Sequence, residues 1–212
     1  MNLQGSKTDT DKRIYKNFSS ILSSAQNESD IVPFIKKNLY LLRVFADAWN
    51  CIYGDYEFSF GGKFIADFLV LSADSGQWYA KLIEAESPTC QFYTKVGEEA
   101  KEMREARRQL TDWRIWIGKN EQSFRNSLAD IVDDNTPAHC GKAQFHHLAK
   151  TELRDLNTVV HVKYVALLGR RFKRTEKSNQ RMYQTGFEVA TYDRLLDYAK
   201  RLENYYVSTS NI

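Results

Sequence analysis

Proline is scarce in this chain: three in 212 residues, beside ten glycines. That scarcity, with no low-complexity tract or repeat, excludes collagen-like and proline-rich architectures and leaves no obvious interdomain linker. Cysteine is equally sparse. Cys51, Cys90 and Cys140 are odd in number and scattered, which excludes a disulfide framework and points to a reducing compartment, the cytoplasm. No run approaches 18 apolar residues and Met1–Thr10 is polar, so neither a membrane span nor a signal peptide is expected. There is no Walker-type phosphate loop, so NTP hydrolysis is not expected. His139, Cys140, His146 and His147 fit no established zinc spacing. Charge of one sign is also lacking. A net +3 and a pI near 8.6 are compatible with a nucleic-acid partner but do not argue for one.

What is present suits one globular domain: 42% hydrophobic and 13% aromatic residues, enough for a core without staples. Residues 1–11 read as a disordered lead. Ile14, Phe18, Ile21 and Leu22 recur at helical spacing within Lys12–Ser24. Ser29 reads as the N-cap of a short helix through Lys37, with Pro33 in its first turn. Leu39–Trp49 is apolar and ambiguous. Tyr53–Phe60 alternates like a strand and ends at Gly61-Gly62. Phe64–Leu71 and Trp78–Glu86 follow as strands, and Pro88 stops the second.

A helix is expected from Glu98 to Ile117, with Met103, Ala106, Leu110, Trp113 and Ile117 as its apolar stripe. Trp113 and Trp116 read as core. A second helix spans Ser123–Val132, and Asp133–Gly141 reads as a loop. Thr158–Leu168 reads as a buried strand and Phe187–Ala190 as a short one. Thr191 caps a last helix from Tyr192 to Tyr206. This order predicts an α/β fold with a mixed sheet and helices on both faces.

Acidic side chains rarely sit inside apolar strands unless they hold a cation or share a proton. This chain has Asp67 in FIADFLVL, then Glu84 and Glu86 in WYAKLIEAESP. If Ser75-Gly76 is a two-residue turn, Asp74 faces Gln77, and counting outward sets Asp67 opposite Glu84. Opposed Cβ atoms lie roughly 4.5–5.5 Å apart, and Glu86 shares the face of Glu84 by strand alternation. A divalent metal, Mg²⁺ or Mn²⁺, would relieve the repulsion. A one-residue slip of register would break the arrangement, and a charged edge strand facing solvent has the same spacing.

The pattern has the shape of the PD…(D/E)xK metal site of nucleases, with Glu86 where that motif carries lysine. ExE and ExQ versions occur among type II restriction endonucleases. In such a site Asp67 and Glu84 hold the metal and Glu86 positions or deprotonates the attacking water. Glu57, on the preceding strand, is a candidate extra ligand. Lys81 is an odd number of residues from Glu84 and faces away, so it does not replace the missing lysine. Lys95 is a candidate to reach in from the following loop. The basic run Arg170, Arg171, Lys173, Arg174 and Lys177 follows a strand end and suits phosphate contacts, or a solvated loop.

Five blocks, ADFLVL, WYAKLIEAESP with Phe92 downstream, EARRQLTDWRIWI, VKYVALLGRR and VATYDRLLDYA, resemble in order and spacing the nuclease domain of the Shedu family of antiphage-defence proteins, over residues 30–203. The resemblance implies a restriction-endonuclease-like fold and a Mg²⁺- or Mn²⁺-dependent DNA endonuclease, acting as a homo-oligomer. It also implies that Gln109 points toward the metal site. The expected division is a lead and helix over 1–29, the nuclease domain over 30–206 and a tail over 207–212. With so short a lead, activation is expected to come from assembly, from features of the DNA or from a separate sensing protein. The alternative is a catalytically silent DNA-binding or assembly module that keeps the fold. A protein-interaction domain without a nucleic-acid role is a third reading.

Overall fold

The computed structural model describes residues 13–48, 50–134, 144–176 and 186–209. The expected disordered lead, most of the Asp133–Gly141 loop, and Lys177 lie outside these residues, as do His139 and Cys140.

Five strands form one mixed sheet in the order β1-β2-β3-β4-β5. They are β1 (Asn50–Phe60), β2 (Phe64–Asp74), β3 (Gln77–Ala85), β4 (Val159–Leu167) and β5 (Glu188–Ala190). β1, β2 and β3 pair antiparallel, whereas β3–β4 and β4–β5 are parallel. The antiparallel half follows from its turns. Ser75 and Gly76 both have positive φ, 49° and 81°, the combination a type I′ hairpin turn requires. Gly61, at φ 63°, has Trp116 packed over it so closely that a Cβ would lie 2.4 Å from the indole.

The sheet is a middle layer. On one face lie α3 (Lys101–Lys119), α4 (Glu121–Asp134) and α5 (Gln144–Arg154). The apolar stripe of α3 is buried at Met103, Ala106, Leu110, Trp113 and Ile117, the five residues that the helical period selects. They meet Leu69, Leu71, Ala80 and Leu82 from the sheet. Trp116 is half-buried against Phe60 and Phe64, at 5.8 and 5.9 Å between ring centroids. The opposite face packs against α1 (Ile14–Ser24), α2 (Val32–Lys37), a 3₁₀ helix at Leu39–Phe45, and α6 (Tyr192–Thr209). Because β3 is covered on both faces, its last six residues are all buried, and an acid at Glu84 is therefore removed from water. This is the expected architecture, restriction-endonuclease-like, with helices on both faces of a mixed sheet.

Four local readings change or sharpen. The cap expected at Ser29 belongs to Asn27, which forms a reciprocal capping box with Asp30 around a 3₁₀ turn at Glu28–Asp30. Ser29 sits inside that turn and donates to the Asn27 side chain. The ambiguous segment after α2 is a 3₁₀ helix with Leu39, Leu41, Leu42 and Phe45 buried. Helix α5 has no counterpart in the sequence reading. Helix α1, expected as a helix ahead of the nuclease domain, buries Ile14, Phe18 and Leu22 in the second core cluster.

Candidate active site

The hairpin register agrees with the turn arithmetic: Asp74 pairs with Gln77, and the ladder runs outward to Phe68 opposite Ile83. One step further sets Asp67 across from Glu84. There the ladder gives way to a side chain, because Asp67 Oδ2 accepts the Ala85 N–H at 2.8 Å. On the other side, Tyr56 pairs with Phe68 and Phe58 with Ala66, so Glu57 falls across from Asp67. Three acidic residues thus occupy neighbouring register positions on β1, β2 and β3.

Glu84 is 9% exposed. Its Oε2 is buried with no hydrogen-bond partner, and the Gln109 amide of α3 donates to its carboxylate. Burial, then repulsion from Asp67, Glu86 and Glu28, pushes its pKa up to about 9. Glu86 is raised to about 7, first by burial and then by Glu28, Glu105 and Glu102. Asp67 is also raised, chiefly by burial; the Ala85 N–H and the Lys36 charge act in the other direction. An unpaired, nearly buried carboxylate oxygen surrounded by other carboxylates is an unstable arrangement without a proton or a cation.

Glu28 is the acid that sequence reasoning missed. It stands in the 3₁₀ turn after α1, and burial and the Asp67 charge raise its pKa. Ser87 and Thr89 hold that turn at the site: both hydroxyls donate to the Gln26 carbonyl, at 2.8 and 2.7 Å. The Tyr192 hydroxyl, at the start of α6, donates to the Glu86 carbonyl at 2.8 Å. Both helical layers therefore converge on one end of the sheet, through Gln109 from one side and Glu28 and Tyr192 from the other.

The remaining candidates divide. Glu57 does not join the buried carboxylates. It is 62% exposed and its carboxylate is held by Lys36 Nζ at 2.6 Å. Lys81 faces away from Glu84, as its odd spacing requires, and pairs with Asp47 at 3.0 Å and Glu188 at 3.2 Å. Lys95 is exposed.

The basic run is more committed to the protein than its composition suggests. Arg170 donates from Nε and Nη2 to Asp193, the latter at 3.0 Å, and stacks over Phe172. Arg174 donates to the Val189 carbonyl at 2.8 Å and lies over the Phe92 ring. Arg171 pairs with Asp197 and Lys173 with the Thr89 carbonyl. Arg170 and Arg174 thus fix the β4–α6 junction, and Arg171 is the more exposed of the two arginines with α6 partners, at 60% against 20%. The Arg170 hydrogen bonds are charge-assisted and half-buried. Arg170→Ala is therefore expected to lower stability by about 2 kcal/mol, whereas Arg171→Ala, breaking an exposed pair, should change it by less than about 1 kcal/mol. Urea denaturation of both variants checks this, and equal midpoints would remove the structural role from Arg170.

Among the described residues no three histidine, cysteine or acidic side chains stand together as a ready metal cage. The donors are nonetheless of the kind a hard divalent ion takes: carboxylate oxygens, one of them buried and unpaired. Among the described residues no helix is long and apolar enough to cross a membrane. A family model described as Shedu protein SduA, C-terminal, matches residues 25–196. No curated protein matches the chain.

Proposed function

The chain belongs to the Shedu family of antiphage-defence proteins, and from that premise we propose that its carboxylate cluster is the site of a divalent-metal-dependent DNA endonuclease of the PD-(D/E)xK kind. The observation that carries this reading is Glu84: a nearly buried carboxylate with one oxygen unpaired, set across the hairpin from Asp67. A structural acid in that position would have an arginine or lysine beside it. This one has Asp67, Glu86 and Glu28.

Asp67 and Glu84 would hold Mg²⁺ or Mn²⁺, which neutralises charge at a phosphodiester and favours ionisation of water. Glu84 and Asp67 keep their protons more tightly than ordinary carboxylates, so cation binding must displace protons and strengthen as pH rises. Glu86, with a pKa near 7, suits a general base at neutral pH. A water oxygen attacks phosphorus and its proton passes to the Glu86 carboxylate. The bond from phosphorus to the leaving sugar oxygen breaks, and that oxygen takes a proton from solvent. Gln109, hydrogen-bonded to Glu84, keeps that carboxylate oriented. Arg171 and Lys173 would meet the DNA backbone, exchanging Asp197 and the Thr89 carbonyl for phosphate, and Arg170 and Arg174 would brace them.

The test is incubation of supercoiled plasmid and linear duplex with the protein in Mg²⁺, in Mn²⁺ and in EDTA. Nicking or linearisation with either ion, abolished by EDTA, is the expected result. Salt-dependent DNA binding without cleavage under any condition would favour the silent binding module.

A further inference from the structure

The strand motif carries an acid at Glu86 where a cation would balance the cluster, and the acids around it include Asp67, Glu84, Glu28, Glu102 and Glu105. A cation does reach this end of the sheet, from another element. Lys36, in the last turn of α2, meets Glu57, the residue across from Asp67 in the β1–β2 register. Its side chain is only 26% exposed and its ammonium is 2.6 Å from Glu57 Oε1. Its Nζ also lies over the Tyr56 ring, 5.3 Å from the centroid.

Glu57 explains how that lysine is held. It lies across from Asp67 in the β1–β2 register, between two regular pairs, yet its φ is +52°. A left-handed conformation costs a non-glycine residue roughly 1–2 kcal/mol, and such outliers gather where geometry serves a site. With ordinary strand geometry, a third acid would stand directly against Asp67, where like charges repel. The observed geometry takes the Glu57 carboxylate to Lys36 instead. Pro33 at the start of α2 and the buried Ile35 beside Lys36 fix the helix that carries the lysine.

We propose that Lys36, anchored by Glu57 on the neighbouring strand, is the positioning cation of the carboxylate cluster, supplying from α2 the positive charge that position 86 lacks. Its targets are Asp67 and a phosphate brought to the site. A compact ammonium on a flexible stem suits that task, being able to exchange one oxygen partner for another. Glu57 is then an anchor for this cation and not a metal ligand. The phosphate part of the role rests on the hydrolytic reading above; the electrostatic part does not.

The experiment compares wild type, Lys36→Ala, Lys36→Gln and Glu57→Gln by Mn²⁺ titration without DNA and by plasmid cleavage. Lys36→Gln keeps a donor for Glu57 if Lys36→Ala fails to fold, and a thermal melt screens both. Removing a positive charge beside Asp67 should tighten Mn²⁺ binding several-fold, while cleavage falls roughly 10–100-fold. A merely structural lysine would instead weaken Mn²⁺ binding or leave it unchanged. Glu57→Gln should lower cleavage without weakening Mn²⁺ binding, since an anchor and not a ligand is lost. Unchanged or weaker Mn²⁺ affinity in a folded Lys36 variant overturns the proposal, and so does wild-type cleavage by that variant. A wild-type protein that binds Mn²⁺ but does not cut DNA refutes the hydrolytic reading, and the affinity comparison still decides the place of Lys36.

Discussion

Without divalent ions, the protein is expected to lose stability as pH rises from about 5 to 9. Glu84 has an ordinary value of 4.5 and a folded value of about 9. Below the first, both the folded and unfolded chains hold the proton. Between the two, the unfolded chain has released it and the folded chain has not. Each pH unit in that window then removes roughly 1.4 kcal/mol for each proton of difference. Glu86 adds to the slope up to about pH 7. On the acid side the sign reverses. Asp193 and Glu188 are held low by Arg170, Lys81 and Arg194, so they lose their contribution as pH falls through the carboxylate range. A maximum near pH 5 follows for the metal-free protein. Urea melts in EDTA across pH 4–9 measure it. Glu84→Gln should flatten the alkaline limb, and an alkaline limb of wild-type steepness in that variant would mean that Glu84 is not the group being titrated.

The second large effect concerns activity. Asp67→Asn and Glu84→Gln are each expected to reduce DNA cleavage at least about 100-fold while melting no lower than wild type in EDTA. The two outcomes are linked by the same repulsion. A neutral amide at either position removes a carboxyl that the metal-free fold holds only at the cost of a raised proton affinity, which favours the fold, and removes an oxygen donor that can ionise to take the cation, which disfavours the ion. Glu203→Gln, changing an acid on α6 far in sequence from the hairpin, is the control and should leave cleavage unchanged. A variant that loses cleavage only because it unfolds would show a lowered melt and would not support the assignment.

The parts of this site that sequence revealed are those carried by short-range geometry. The Ser75-Gly76 turn sets the β2–β3 register, and with it the meeting of Asp67 and Glu84, because a two-residue hairpin admits little freedom. The direction of Gln109 is what the family resemblance implies; the helical period that buries Met103, Ala106 and Leu110 sets it beside that stripe. What stayed hidden depends on tertiary contacts. Glu28 arrives because Ser87 and Thr89 hold the Gln26 carbonyl, a contact between segments about sixty residues apart that no local pattern announces. Lys36 looks like an ordinary surface charge until the fold brings it to Glu57, which the sequence offers as an extra metal ligand. The pairing of Arg170 with Asp193, 23 residues away, becomes fixed only where the end of β4 meets α6. A positive φ at Glu57 has no sequence signal at all, since glutamate is not a residue that favours it.

If Asp67 and Glu84 together hold a divalent ion, a calorimetric Mn²⁺ titration at pH 8 should find one specific site in wild type. Protons should be released on binding because Glu84 is protonated without the ion, and the site should be lost in Asp67→Asn. Equal Mn²⁺ affinity in wild type and Asp67→Asn, with no proton release, would contradict it.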